Sequence, residues 1–375
     1  MPREILLDQT TDVQEALQTA IADLEAGELV CLPDECGWNL LGLATHGSTA
    51  SRLHGADQPA SGQGVGQAAV CLPHPASVAD YLTEASSLFQ KLSARCWPGP
   101  VVLRGGESVA SGLSRQWPAS SQNWAMTEGG RAYYCPADSF CQEVLRSVSA
   151  PALSLLGSRE QRKECLEQRQ VKTVISTPQS RFNAPPTVVA VNGTRLRVER
   201  PGVVSQRMLD RLAGEVYLFV CTGNTCRSPM AEALFRKMLA DRLQCREDEL
   251  IDHGYMVASA GLAAYKGAAA SPEAVELLRK DGVDLSGHES QPVTEELLQH
   301  CDHVFTMTRS HRDALLSAFP ETSGQVRLLS ALSQDVSDPM GAGPEEYARC
   351  RDVIRHHLEK ILADLEVSGN EGNSP

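Results

Sequence analysis

Val216-Tyr-Leu-Phe-Val-Cys221-Thr-Gly-Asn-Thr-Cys226-Arg227-Ser228-Pro229 decides how the C-terminal half of this chain is read. Five consecutive apolar residues, Val216 to Val220, predict a short fully buried strand. Ser228-Pro229 predicts an N-cap followed by proline in the first helical position. Between them lies a polar loop with a cysteine at its start and an arginine near its end. A loop of this length at a helix N-terminus turns successive backbone N–H groups inward, and the helix dipole adds positive potential to the hollow they form. Such a hollow suits a phosphoryl group. A cysteine at its base would ionise more easily than a free thiol, whose pKa is about 8.5. Arg227 would hold two phosphoryl oxygens in bidentate fashion, a geometry that lysine lacks.

These parts suit in-line attack of a thiolate on phosphorus, giving a cysteinyl-phosphate that water then hydrolyses, with no metal required. The scheme needs a proton donor for the leaving atom. Asp338-Pro339, in a predicted loop beyond the last strand-like segment, supplies Asp338 as acid in the first step and as base toward water in the second. Asn224 tolerates the left-handed backbone that a tight loop demands, and the Ser228 hydroxyl can hydrogen-bond a thiolate.

The string from Cys221 to Pro229, continued by Met230-Ala-Glu-Ala-Leu234 and completed by Asp338-Pro339, resembles the low-molecular-weight protein tyrosine phosphatase family. Ser259-Ala-Gly261, Gly282-Val-Asp-Leu-Ser-Gly-His288 and Asp302-His-Val-Phe-Thr-Met307 extend the resemblance, which runs from about Glu215 to about Leu365. It implies Cys221 as nucleophile, Arg227 as phosphate-binding residue and Asp338 as general acid and base. Thr222, Gly223, Asn224, Thr225, Cys226 and Ser228 would support the phosphate loop, and the substrates would be phosphorylated proteins. Thr225, Tyr265 and Met340 would border the substrate cleft. Thr225 stands where tyrosine-specific members usually carry a bulkier branched aliphatic residue, and it resembles the bacterial branch that acts on phosphoarginine in proteins. Met340 follows Asp338-Pro339 where the family commonly has an aromatic that stacks on a phosphotyrosyl ring. Methionine is also a tolerant filler, and Tyr265 reads equally as an exposed residue without a role, so both substrates stay open. Cys226 reads either as a disulfide partner for Cys221 under oxidation or as a small buried hydrophobe. A thiol-dependent arsenate reductase is a further alternative, one that needs redox cysteines such as Cys245 or Cys301 near the site.

At 375 residues the chain has room for two domains. Its net charge of -13 argues against non-specific binding to nucleic acid or to an acidic membrane surface. Twelve cysteines without close Cys-x2-Cys pairs fit free thiols in a reducing cytosol better than a disulfide scaffold or a zinc site. No signal peptide is evident at the N-terminus, and no run approaches the roughly 20 apolar residues of a membrane span. The expectation is a cytoplasmic protein without metal, cofactor or membrane anchor.

In the N-terminal half, apolar residues at Val13, Ala16, Leu17, Ala20, Ile21 and Leu24 predict an amphipathic helix ended by Gly27. Glu28 to Leu43 reads as a strand and a loop, Gly47 to Gln67 as a long mobile loop, Ala68 to Leu72 as a strand and Ser77 to Leu92 as a helix. Trp97-Pro-Gly-Pro100 is a turn feeding a strand, while Gly105 to Gly130 yields no assignment. Arg159 to Arg169 is helical in pattern, and Thr173 to Thr177 and Thr187 to Val191 are strand-like. Leu29 to Leu43, Trp97-Pro-Gly-Pro100 and Thr187-Val-Val through Arg200-Pro-Gly-Val-Val-Ser205 resemble the YrdC-like family, which makes threonylcarbamoyl-AMP from threonine, bicarbonate and ATP. The resemblance implies an α/β domain over residues 9–207 with a mixed twisted sheet. The family's basic Lys-x-Arg pair is replaced by Leu53-His-Gly-Ala-Asp57, and its Ser-x-Asn signature by Ser154 with Leu156 in the asparagine position. Each lost polar contact removes about 1–3 kcal/mol of ligand binding. The domain is therefore expected to lack synthase activity while retaining a possible nucleotide or double-stranded RNA ligand; a bifunctional or regulatory protein is the alternative.

A brief link near Gly214 leads to the second domain, residues 215–366. Strands are expected at Met256–Ser259, Asp302–Met307 and Gln325–Leu329. Helices are expected after Ser271-Pro272, over Arg309–Ala318 and from about Pro344 to Val367, with a disordered tail over 367–375. The alternation predicts an α/β fold: a four-stranded parallel sheet with helices on both faces and the active site at the C-terminal edge of the strands.

Overall fold

A computed structural model describes residues 2–8, 10–54, 67–106, 111–330 and 334–370. The chain divides into two units, Met1–Leu212 and Ala213–Pro375. In the first unit the elements run β1 (Arg3–Leu6), α1 (Val13–Glu25), β2 (Leu29–Asp34), β3 (Gly37–Leu43), α2 (Thr49–His54) and β4 (Gln67–Cys71). They continue with α3 (Ser87–Cys96), β5 (Val101–Gly105), α4 (Ala119–Gln122), β6 (Met126–Thr127), β7 (Gly130–Tyr134), α5 (Ser139–Ser147) and β8 (Ala152–Ser158). The last are α6 (Arg162–Glu167), β9 (Val171–Ser176), β10 (Thr187–Asn192), β11 (Arg195–Arg200) and α7 (Gln206–Ala213). The strands form one sheet in the order β1-β9-β2-β3-β8-β4-β7-β5-β10-β11, with β6 added on β7. It is mixed: β1/β9, β2/β9, β4/β7 and β5/β10 are parallel, and β2/β3, β3/β8, β4/β8, β5/β7 and β10/β11 antiparallel. Ala16, Leu17, Ala20 and Leu24 of α1 join Phe140, Cys141, Val144 and Leu145 of α5 in the core on one sheet face. Asp12 caps α1, its Oδ1 accepting from Gln14 and Glu15 N–H at 2.9 and 3.2 Å.

Several expectations for this unit need correction. Leu29 to Leu43 is a β-hairpin rather than a strand and a loop, because Cys36 N–H donates to Asp34 Oδ1 at 2.9 Å and closes the turn that brings β3 back beside β2. The segment read as a mobile loop from Gly47 begins with α2. Arg52 anchors that helix by donating to Gly27 O at 2.6 Å and to Glu28 at 2.7 Å, while residues 55–66 lie outside the described residues. The single helix expected over Ser77–Leu92 is a 3-10 turn, Pro75–Asp80, followed by α3. A second cap causes the restart: Ser86 Oγ accepts from Phe89 N–H at 3.2 Å.

The second unit contains β12 (Glu215–Cys221), α8 (Arg227–Leu243), β13 (Tyr255–Gly261), α9 (Pro272–Lys280), α10 (Glu295–Gln299), β14 (His303–Thr306), α11 (Arg309–Ala318), β15 (Val326–Leu328) and α12 (Pro344–Asn370). Its sheet has the order β13-β12-β14-β15, and every neighbouring pair is parallel. Side chains alternate across β12 as strand geometry requires. Tyr217, Phe219 and Cys221 face a core shared with α8, α9 and α12, whereas Leu218 and Val220 face Leu298 and Leu315 of α10 and α11. Ser271 caps α9, its Oγ accepting from Ala274 N–H at 3.4 Å.

Two boundaries differ from the sequence reading. The N-cap residue of α8 is Cys226, so Ser228 and Pro229 lie inside the first turn, where the Ser228 hydroxyl is committed elsewhere than to capping. Helix α12 continues to Asn370 where a tail from residue 367 was expected, and residues 371–375 lie outside the described residues. Among the described residues no helix is long and apolar enough to cross a membrane.

Candidate active site

β12 ends at Cys221, and the chain turns through Thr222–Thr225 to the Cys226 cap of α8. Asn224 governs that turn. Its φ of 55° is a left-handed conformation that asparagine tolerates better than most residues, and its side chain is fully buried in a set of hydrogen bonds. Nδ2 donates to Ser228 Oγ at 3.0 Å and to Ser259 Oγ at 2.8 Å, while Oδ1 accepts from Gln291 N–H at 2.9 Å. The Asn224 carbonyl accepts from His288 Nε2 at 2.8 Å, which puts the ring proton on that nitrogen. Ser259 in turn donates to Glu232 Oε2 at 2.6 Å. The end of β13 presses against the same loop. Leu262 N–H donates to Cys221 O at 3.0 Å and Ala263 N–H to Thr222 O at 2.9 Å. A Cβ on Gly261 would stand 2.6 Å from Thr222 O and 2.9 Å from Asn224 N, so only glycine fits there.

The sulfur of Cys221, a residue only 2% exposed, accepts from Asn224 N–H at 3.3 Å and lies 2.9 Å from Ser228 Oγ. Because Asn224 Nδ2 donates into that oxygen, the serine keeps one proton to give. Its two acceptors are the sulfur at 2.9 Å and Ala260 O at 3.3 Å, and the sulfur is nearer. Arg227 is also buried. Its guanidinium donates to Val336 O at 3.2 Å, to Thr222 Oγ1 at 3.4 Å and to the Asp338 carboxylate. Its Nε–H is buried without a partner among the described residues. Asp338, with a side chain 44% exposed, holds the outer end of this ion pair. Cys221, Asn224 and Ser228 thus form one hydrogen-bonded group in the loop, and Arg227, Thr222 and Asp338 form a second.

The remaining candidates sit nearer the surface or are tied into the fold. Thr225 is half-buried, and its carbonyl accepts from Ser271 N–H at 2.8 Å. Met340 is 63% exposed and its N–H donates to Asp338 Oδ1 at 3.2 Å. Tyr265 is 87% exposed, while its backbone carbonyl is anchored by the Ser290 hydroxyl. Gly223 is half-buried in the loop. Cys226 is a buried free thiol with Sγ 3.4 Å from Tyr347 OH.

Cys301 packs on the opposite sheet face, and Cys245 lies beyond the far end of α8, about 25 Å along the helix at 1.5 Å per residue. Neither stands at the loop as the arsenate reductase alternative would need. Among the described residues no group of three or more His, Cys, Asp or Glu side chains is arranged to hold a metal ion.

Two histidines outside the candidate residues named from the sequence belong to this neighbourhood. His288 fixes the Asn224 carbonyl as described. His311 lies with Nε2 2.9 Å from Thr222 Oγ1 and Nδ1 2.9 Å from Thr308 Oγ1. Burial, together with the Arg227 guanidinium, holds its pKa below the usual 6.5. The usable signal was position: His311 follows the C-terminal end of β14, the sheet edge on which the loop stands.

Residues 216–370 match the family model described as low molecular weight phosphotyrosine protein phosphatase. Over 153 residues the chain is 38% identical to the protein-arginine-phosphatase of Bacillus subtilis, covering 40% of this chain and 95% of that protein. Over 154 residues it is 33% identical to the protein-arginine-phosphatase of Geobacillus stearothermophilus, covering 40% and 95%. Identity is 37% over 153 residues to the probable low molecular weight protein-tyrosine-phosphatase EpsP of Ralstonia nicotianae, covering 40% and 97%. The solved structure of the YwlE arginine phosphatase from Geobacillus stearothermophilus matches at 32% identity over 43% of this chain and 99% of that one, with a TM-score of 0.38. Through residues 216–370, this chain belongs to the low molecular weight phosphotyrosine protein phosphatase family of cysteine-based phosphatases.

Proposed function

We propose that the second unit, with its domain at residues 215–366, hydrolyses phosphorylated protein side chains, with Cys221 as nucleophile, Arg227 as phosphoryl-binding cation and Asp338 as general acid and base. The observation that carries this reading is the sulfur held by Asn224 N–H and Ser228 in the same loop whose arginine pairs with Asp338. An incoming phosphoryl group takes over guanidinium hydrogen bonds from Asp338, and the Arg227 Nε–H, which has no partner among the described residues, gains an oxygen. Released from its ion pair, Asp338 takes up a proton from solvent; the Cys221 thiolate attacks phosphorus as the bond to the leaving nitrogen or oxygen breaks, and Asp338 gives that proton to the leaving atom. Asp338, now a carboxylate, takes a proton from water as the water oxygen attacks the cysteinyl-phosphate, releasing inorganic phosphate and restoring the thiolate. Backbone N–H groups from Thr222 to Ser228, spanning Gly223, Asn224, Thr225 and Cys226, receive the equatorial oxygens.

Within this class phosphoarginine is the preferred substrate. Thr225 and the non-aromatic, exposed Met340 support it, as do two relatives named protein-arginine-phosphatases. Phosphotyrosine is the second reading, favoured by the exposed ring of Tyr265 and by the Ralstonia relative. Hydrolysis of an aryl phosphate without added metal should fall by at least about 10⁴-fold in Cys221→Ser; retained turnover would remove the mechanism. Thr225→Ile should move the kcat/KM ratio toward phosphotyrosine over phosphoarginine peptides by about tenfold. An unchanged ratio would show that Thr225 is not the selector.

We propose further that the first unit is a YrdC-like domain over residues 9–207 that lacks synthase activity and offers a nucleotide or RNA ligand site. Leu156 is buried in the core, and the buried Ser154 hydroxyl donates to Ala69 O at 3.1 Å, so neither presents a polar group to a ligand. Of the segment replacing the Lys-x-Arg pair, Leu53 and His54 end α2, and residues 55–57 lie outside the described residues. ATP- and threonine-dependent pyrophosphate release by the full chain would overturn the inactive reading.

A further inference from the structure

Away from the phosphate loop, the second unit has another concave site. Between α12 and the strands β12, β14 and β15 lies a cavity of about 530 Å3, within the size range of small-molecule pockets. Its sheet-side wall is aromatic. Tyr217 and His303 stack with centroids 4.6 Å apart at 26°, and His303 and Phe305 lie 6.4 Å apart at 20°. Ile361 and Leu365 of α12 supply apolar surface to the same lining.

Two lining residues carry polar atoms that the fold leaves unanswered. The Tyr217 hydroxyl, on a residue 1% exposed, and His357 Nδ1, on a residue 5% exposed, are buried without a hydrogen-bond partner among the described residues. Folded proteins pair nearly all such groups, so a deep donor and a deep ring nitrogen in one cavity point to a ligand. The proposed phosphatase chemistry uses neither residue: Tyr217 is four positions before Cys221, about 13 Å back along β12.

Cations outnumber acids in the lining, although the Glu215 carboxylate meets His303 Nε2 at 3.0 Å from outside it. Arg327 and Lys360 have no ion-pair partner among the described residues, Arg312 pairs with its neighbour Asp313, and Asp364 is the one acid among the cavity residues. Burial, with His356 and Lys360 nearby, holds His357 below its usual pKa, so the ring is neutral at pH 7 and offers one donor and one acceptor.

We propose that this cavity binds a small planar aromatic anion. The ring lies along Tyr217, His303 and Phe305, a polar ring substituent meets the Tyr217 hydroxyl and His357, and the acidic group sits at Arg327 and Lys360.

The test is isothermal titration of the full chain with 2-naphthoate, a flat aromatic carboxylate, alongside its neutral amide 2-naphthamide. Saturable one-to-one binding of the acid is expected, with the amide about tenfold weaker. The surface double variant Arg327→Glu/Lys360→Glu should weaken the acid by about tenfold or more. Tyr217→Phe, checked for an unchanged melting temperature, should weaken it severalfold. Cys221→Ser and added inorganic phosphate should leave binding unaltered. Absence of saturable binding, or full-strength binding in the double variant, would overturn the proposal. So would competition by phosphate, because that would put the anion in the phosphate loop.

Discussion

At the scale of single residues, Asn224 bears most of the loop's architecture. One carboxamide and one carbonyl tie the segment to Ser228, Ser259, Gln291 and His288, and the backbone N–H of the same residue faces the sulfur. Asn224→Ala keeps the strand and the helix but removes three of these bonds and puts an unsuited side chain at a positive φ. The expected result is a fall in kcat/KM for an aryl phosphate of at least about tenfold, with destabilisation of about 1–3 kcal/mol by urea melts. Asn224 was legible in the sequence because its role begins with local backbone geometry. His288 and His311 were not, since the sheet delivers them from 64 and 89 residues further along the chain and no local pattern announces a partner at such distance.

At the scale of elements, the sequence was most readable where one local cause decides the outcome. The apolar run of β12 and the Ser271-Pro272 start of α9 are of this kind. It was least readable where tertiary partners decide. β11 alternates exposed and half-buried residues, with Arg195, Arg197 and Glu199 at the exposed positions. That is the charged dress of a sheet edge, and it hides the strand signal. β3 likewise reads as a loop until Asp34 closes the hairpin turn. The junction of β13 with the phosphate loop makes a sharp prediction of its own. Gly261→Ala would drive a methyl group into Thr222 O and the Asn224 amide, and backbone cannot swing aside as a long side chain can. The loop must shift by a fraction of an ångström or more. Activity should fall about 100-fold while far-UV circular dichroism stays unchanged; wild-type activity would mean that the loop tolerates displacement.

At the scale of the whole molecule, each unit has its own core, so calorimetry should resolve two transitions that respond to different substitutions. The first unit has a pH lever in its interior. Burial, reinforced by the charge of neighbouring Glu35, raises the pKa of Asp34 well above 3.8, and both carboxylates share the Tyr134 hydroxyl at 2.9 Å. A raised carboxyl pKa means that the folded state keeps a proton the unfolded chain has already released. The stabilisation is complete below pH 3.8 and is lost as the pH rises through the folded value. Asp34→Asn has no proton to lose. It should raise the melting temperature of the first transition by about 2–4 °C at pH 7, converge with wild type toward pH 3.8, and leave the second transition where it was. The long reach of the loop's supports also sets an order of events during synthesis. Arg227 takes its backbone acceptor 109 residues downstream and its carboxylate 111 residues downstream. A ribosome that has just finished the Cys221–Arg227 string has therefore made every reactive atom but the acid, and the nascent thiol goes uncaged until the last strands have been translated and have docked.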